Sequence, residues 1–552
     1  MISALCSIYK SIERGYWLHM PCYFMWVVRW NDDWNYSERI LGLRIAHFSC
    51  LCSHIHFLNM RTYLLTFLSI LMSSFLSAQY STPGTGVHWT MDSLLLYSGG
   101  TVLDDTWGYL ITDDLNISES DSLFILETVS LGISPSKSIS VFGYIETDGQ
   151  PGPLISSISF TDLNGGLRIE SGAEAHFRNT EFSYGGGIKC ISGNVTFENC
   201  NISYQQNIAT SGSAIDLFQG SPMIIGCTIR YNQGSAISSP GNIACAPSII
   251  GCTIEGNNTE NSNRPQINLG ASGLGLAIIQ ENLITGNPEL DQVGGIAVAS
   301  LFGVESNVLI QGNTIRDNRY GLALFGNGIS ASISDNIMID NNTQGNPLLG
   351  GSGINLNGNN SSSALVAGNS ISGNLWGITV QGEFQLDMGD PEDLITSPGN
   401  NSFYENGNSG LIYALYNNTP SPIKAANNCW IFDQESTLSE IEDVIFHELD
   451  DTSLGLVDFS MPQCVLTALD EHAMKVLHLF PNPTSLDLQV KLPLKMNLKS
   501  IRVIDGLGSE YNCAIQRAEN ILKIETRNLS KGLYILQIVS DNSVLDQVFI
   551  KE

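Results

Sequence analysis

Positive charge is what this chain has least of. Between Tyr80 and Asp470, nine Lys and Arg stand against 41 Asp and Glu, a net of −32. A body that acidic repels polyanions, which excludes a nucleic-acid partner. No Cys-x-x-Cys pair occurs, so the usual zinc frameworks are missing. No long segment of period 3.6 interrupts the middle of the chain, which rules out helical repeats. The apolar stretch over 64–76 is too short to predict a membrane span. Charged residues make up only 14% of the 552, while glycine numbers 53, a balance that suits a turn-rich β protein.

What is present is a repeat. One phrase recurs: Cys or Asn, any residue, a large apolar residue, two more, then Asn. It reads Cys227-Thr-Ile229-Arg-Tyr-Asn232 and Cys252-Thr-Ile254-Glu-Gly-Asn257, then Asn282-Leu-Ile284-Thr-Gly-Asn287 and Asn313-Thr-Ile315-Arg-Asp-Asn318. It goes on as Asn336-Ile-Met338-Ile-Asp-Asn341, Asn369-Ser-Ile371-Ser-Gly-Asn374 and Asn401-Ser-Phe403-Tyr-Glu-Asn406. Cys200-Asn-Ile202 opens the series loosely, with its Asn late at Asn207. The apolar anchors from Ile202 are 27, 25, 30, 31, 23, 33 and 32 positions apart. Between them lie strand-sized pieces such as Gly321-Leu-Ala-Leu324 and Gly377-Ile-Thr-Val380.

A coil of three short strands needs roughly 20–30 residues, whereas a propeller blade needs about 40 or more. The spacing therefore predicts an all-β chain built as a parallel β-helix solenoid. Stacked coils bring equivalent residues into ladders, where an inward Asn can satisfy turn backbone above and below. The first column runs Cys200, Cys227, Cys252, Asn282, Asn313, Asn336, Asn369, Asn401. Repetition of this kind is turn architecture rather than a metal site.

In chain order, residues 1–59 hold four of the eight Trp and four of the twelve Cys and lack any repeat. They read as a leader ahead of a true start at Met60, or as a disordered extension. Residues 60–78 read as a secretory signal peptide, with Arg61 as the positive region and cleavage between Ala78 and Gln79. Residues 79–159 are expected to cap the solenoid, and 160–460 to form its coils with a closing coil. A helix over 439–449 should turn Ile441, Val444, Ile445 and Phe446 inward, and 461–475 form a linker. The eight later cysteines, Cys190, Cys200, Cys227, Cys245, Cys252, Cys429, Cys464 and Cys513, allow either disulfides or stacked free thiols.

Two stretches carry resemblances. Tyr416-Asn-Asn-Thr-Pro-Ser-Pro-Ile-Lys-Ala-Ala-Asn-Asn-Cys-Trp430, with Leu454-Gly-Leu-Val-Asp-Phe459, resembles the closing coil of bacterial right-handed parallel β-helix proteins. Those relatives follow the Asn pair with two aromatics and Gly, where this chain has Cys429, Trp430 and Ile431. Over 476–552, Leu479-Phe-Pro481-Asn482-Pro483-Thr and Lys531-Gly532-Leu-Tyr534 resemble the type A C-terminal sorting domain of the type IX secretion system of Bacteroidota-type bacteria. The resemblance implies a small Ig-like β-sandwich, handling by the type IX machinery and export across both membranes. It also implies removal of the domain and a cell-surface or secreted destination.

Active-site chemistry is thin. The body's histidines are His88, His176 and His447, and its cations lie singly. The polygalacturonase-like motif set is absent. Asp104-Asp105 and Asp113-Asp114 fall in the expected cap, while Asp162, Glu181 and Asp216 are loose candidates for a carboxylate pair. The acidic loop with Glu383, Asp387, Asp390, Glu392 and Asp393 could take Ca²⁺, though its spacing fits no defined calcium loop. Tyr320 and Trp376 are candidate stacking platforms for sugars, or rings packed under loops. The expectation is an exported, non-catalytic solenoid that binds glycans or cell-surface material, with a polysaccharide hydrolase or lyase as the alternative.

Overall fold

Apolar and small polar residues alternate along short segments bounded by Gly and Asn, so each segment buries one face only as a strand. In a computed structural model of the chain these strands stack into three parallel sheets. The structure describes residues 79–551 apart from 107, 127–128, 135, 150–155, 161–165, 207–212, 432–435, 465–477, 481–483, 493–497, 506–508, 519–520 and 541–543. Each regular coil gives one strand to sheet A, one to sheet B and one to sheet C. Ile296–Ser300, Ser306–Gln311 and Thr314–Arg316 make one coil, and Leu322–Gly326 then returns to sheet A. Among the described residues the sheets hold 14, 14 and 13 strands respectively.

The sequence anchors are the inward column of sheet C. Ile202, Ile229, Ile254, Ile284, Ile315, Met338, Ile371 and Phe403 are each at most 1% exposed and stand in register from coil to coil. Ile237, Ile267, Ile296, Leu322, Ile354 and Ile378 face them from sheet A. Burying each such side chain stabilises the coil by about 1.5–3 kcal/mol.

The coils begin earlier than expected. Residues 79–159 do not form a separate cap: Tyr80–Ser81, Leu115–Ile117 and Ser138–Val141 already lie in sheet A, in line with Gly166–Ile169. Their strands alternate like the rest, but their corners lack the Cys/Asn phrase, so the repeat is invisible there. Capping falls to helix α1, Met91–Tyr97, which buries Met91 and Leu94 and starts on a Thr90–Ser93 capping box. Asp121 fixes the loop before it. Its carboxylate accepts from the backbone N–H of Gly84, Gly86 and Val87 at 2.8, 3.0 and 2.9 Å, and from Trp89 Nε1 at 3.3 Å.

The stretch expected to hold the closing coil adds strands to two sheets. Ile423–Lys424 and Val457–Asp458 extend sheet B, and Ile445–Phe446 extends sheet A. The expected helix over 439–449 is therefore shorter: α2 covers Leu438–Glu442, and pairing with Leu415–Tyr416 makes Ile445 and Phe446 a strand. Ile441, Val444 and Ile445 are buried as expected, while Phe446 stacks on Tyr416 with centroids 4.7 Å apart.

At the C-terminus two four-stranded antiparallel sheets form a small β-sandwich. Leu488, Val490, Leu522 and Ile524 of one sheet share a core with Val503, Leu536, Ile538 and Phe549 of the other. No helix among the described residues is long and apolar enough to cross a membrane.

Candidate functional site

The ladders are structural, and they show what the turn residues are for. Asn282, Asn313, Asn336, Asn369 and Asn401 each donate Nδ2–H to the Oδ1 of the next rung at 2.9 Å, ending on Asn428. The same oxygen also takes the backbone N–H of the rung before it. The switch to thiols is seamless, since Cys252 N–H donates to Asn282 Oδ1 at 2.8 Å. Hydrogen bonding within the thiol stack, together with burial, raises the Cys227 and Cys252 pKa values, so these thiols are inert. The described cysteines form one disulfide, Cys429–Cys464, while Cys190, Cys200, Cys227, Cys245, Cys252 and Cys513 are free.

The second ladder departs from the sequence phrase at two rungs. Gln205, not Asn207, takes the first, with its N–H on Asn232 Oδ1 and its Oε1 accepting from Gly185 and Gly187. Asn207 lies outside the described residues. Gln266, not Asn287, joins Asn257 to Asn318, at 3.1 and 3.0 Å. Asn287 instead opens a loop, where it accepts from Glu289 N–H.

A cleft of 590 Å³ opens where sheet A turns toward sheet B. It exists because glycine recurs at one rung: a Cβ on Gly326, Gly358 or Gly382 would sit 2.0–2.3 Å from a carbonyl oxygen of the coil before it. With no side chains to fill the corner, space remains between Phe325, Asn327, Asn357, Asn359 and Glu383. Phe325 is 48% exposed. The two rings read as platforms or as rings packed under loops lie elsewhere, and both are packed. Tyr320 lies against Gly294, where burial pushes its phenol up to about 12. Trp376 is half-buried against Tyr413 and Tyr416 and donates Nε1–H to the Pro347 carbonyl at 2.9 Å.

The loose carboxylate candidates do not converge. Asp104 and Asp105 are exposed in the first sheet C hairpin, Asp113 pairs with Lys137 at 2.6 Å, and Asp114 accepts from Ser138 N–H. Asp162 lies outside the described residues, and Glu181 and Asp216 stand on different sheets, C and A. Asp216 sits in a shaped environment. It neighbours Lys189 in register and accepts from Ser238 Oγ at 2.7 Å. Burial raises its pKa, against the opposing pull of Ser238, Ser213, Lys189 and Arg264. A polar network that sequence reading missed lies on sheet B, where Arg178 pairs with Glu146 and Asp148, Tyr144 donates to Glu146 at 2.8 Å and His176 meets Glu174 at 2.8 Å. Register between neighbouring coils brings Arg178 to Glu146 and Asp148, while the other two pairs lie two positions apart on one strand.

Two arrangements could suggest a metal. In the acidic loop, Asp387 accepts from Ser397 Oγ at 2.5 Å, Asp393 accepts from Thr396 Oγ1 at 2.6 Å, and Lys424 pairs with Asp390. Groups of the loop and of the strand Ile423–Lys424 thus serve these carboxylates. Glu442, His447 and Asp450 bring ligand atoms within 4.8 Å of one another. His447, however, accepts Val457 N–H on Nδ1 at 3.0 Å and meets Glu442 with Nε2 at 2.8 Å. Its acceptor nitrogen is taken, so Nε2 carries the proton and offers no lone pair to an ion. This histidine pins the closing coil.

Of the export residues, Ala78 and Pro481-Asn482-Pro483 lie outside the described residues, and Gln79 is exposed just before the first strand. Gly532 opens the strand Gly532–Ser540. Tyr534 is buried in the sandwich, stacks on Phe549 at 5.6 Å and donates its hydroxyl to the Ser530 carbonyl at 3.0 Å.

Residues 209–387 match the family model of the right handed beta helix region, and 478–552 that of the secretion system C-terminal sorting domain. No curated protein matches the chain. Among solved structures, the periplasmic alginate epimerase AlgG is similar at 12% identity over 68% of this chain and 84% of that one, with a TM-score of 0.37. The Dettilon tailspike protein is similar at 11% identity over 79% and 85%, with a TM-score of 0.24. The sorting domain marks the protein for handling by the type IX secretion machinery and for a cell-surface or secreted location.

Proposed function

We propose that this exported right-handed β-helix protein with a C-terminal sorting domain is a non-catalytic module for adhesion or glycan binding. The cleft beside Phe325 carries the reading. It offers one exposed aromatic ring and several amides, the groups that stack on sugar faces and bond to hydroxyls. It contains one carboxylate, Glu383, and no second acid or base to share proton transfer. The exported protein should be retained on at least one insoluble polysaccharide and eluted by its soluble fragments. Passage of the protein through every matrix tested would remove the reading.

The second reading, a polysaccharide hydrolase or lyase, is favoured by Asp216. A half-buried carboxyl whose pKa burial raises, beside Lys189, is a reasonable general acid. Under this reading, Asp216→Asn abolishes release of new chain ends while retention on polysaccharide persists.

A further inference from the structure

The cleft lies beside a longer row. Ala299, Phe325, Asn357, Gln381 and Asn418 occupy one outward column of sheet A in five successive coils, each in direct register with the next. The inward neighbours Val298, Leu324, Leu356, Val380 and Asn417 are buried, which fixes the row on the outer face. No charged residue stands in it. Ala299 leaves room on one side of the Phe325 ring, and no aromatic ring of the described residues pairs with Phe325. On the other side the amides begin, with Asn357 Nδ2 donating to Gln381 Oε1 at 3.0 Å. Coils stack about 4.8 Å apart, so a ligand lying along the solenoid axis meets one aromatic face and then an amide at every step.

The geometry points to a neutral, linear polysaccharide lying along this row, with one sugar against Phe325 and its neighbours' hydroxyls on Asn357, Gln381 and Asn418. This deepens the glycan-binding reading and rests on it. Uncharged amides pair with hydroxyls as both donor and acceptor. Glu383 at the cleft and the −32 charge of the body disfavour uronic-acid and sulfated chains. Glycine at 326, 358 and 382 keeps the adjoining corner open for sugar substituents.

The test is titration calorimetry of the exported protein with oligosaccharides of β-1,4-glucan, α-1,4-glucan, xylan and mannan, and with oligogalacturonate and oligoalginate. At least one neutral series should bind, with affinity rising as the chain lengthens across the row. Phe325→Ala should weaken it tenfold or more, and Gln381→Ala several-fold. Tyr184→Ala, on another corner, should leave it unchanged, with all variants melting as the parent does. Neutral binding indifferent to both Phe325 and Gln381 would overturn the row while leaving the glycan-binding reading standing. Preference for the uronic-acid series would overturn the ligand class. Failure of every series to bind would overturn both.

Discussion

Asn428 Oδ1 accepts the side-chain and the backbone N–H of Asn401, each at 2.9 Å, and so ends the rung series. Among the described residues no further rung of the ladder follows to receive Asn428. Its backbone carbonyl is met instead by Gln463 N–H at 3.1 Å, and the adjacent Cys429 is bonded to Cys464. The tail over 460–464 thus takes the place of one more rung. Removing the bond by Cys464→Ala should loosen this end by about 2–4 kcal/mol. Hydrogen exchange should show protection lost over 415–458 and kept over 280–340. Unchanged protection at the closing coil would show that the tail holds without its bond.

Within the ladder, Asn336→Ala removes an acceptor for Asn313 and a donor to Asn369. Each buried polar group left unpaired costs about 1–3 kcal/mol. The midpoint of chemical unfolding should fall accordingly, whereas alanine at exposed Asn359 should be near neutral.

Asp121 ties the first coil to acid stability. Burial alone would raise its carboxyl, but hydrogen bonds from Thr82, Val87, Gly84 and Trp89 outweigh that and hold it at about 2. The folded value lies below the unfolded value of about 3.9, so its stabilisation is full above the unfolded value and fades as pH falls toward 2. The contribution is on the order of 2–3 kcal/mol. Asp121→Asn should lower stability at pH 7 and flatten the loss between about pH 5 and 2. An acid limb identical to the parent's would contradict this role.

His447 is committed to hydrogen bonds on both ring nitrogens, so chelator should leave the melting temperature unchanged. His447→Ala should lower it, since Val457 N–H and Glu442 then lose their partner. A chelator-induced drop rescued by Ca²⁺ or Zn²⁺ would show an ion there after all.

The solenoid was legible because its rungs are local: Asn313 and Ile315 sit two positions apart and repeat their surroundings in each coil. Gln205 and Gln266 were hidden because a side chain one methylene longer reaches the same rung from a different position. The coils before residue 160 were hidden because their corners use other chemistry, such as the Asp121 carboxylate. The cleft could not be read either. It depends on Gly326, Gly358 and Gly382 falling in one column, and the uneven loop lengths between them disguise that register.

The most direct test of a non-catalytic binding role is to incubate the exported protein with neutral and acidic polysaccharides and count both retained protein and new chain ends. The account predicts retention on a neutral polymer with no new ends. New ends on any polymer, lost in Asp216→Asn, would contradict it.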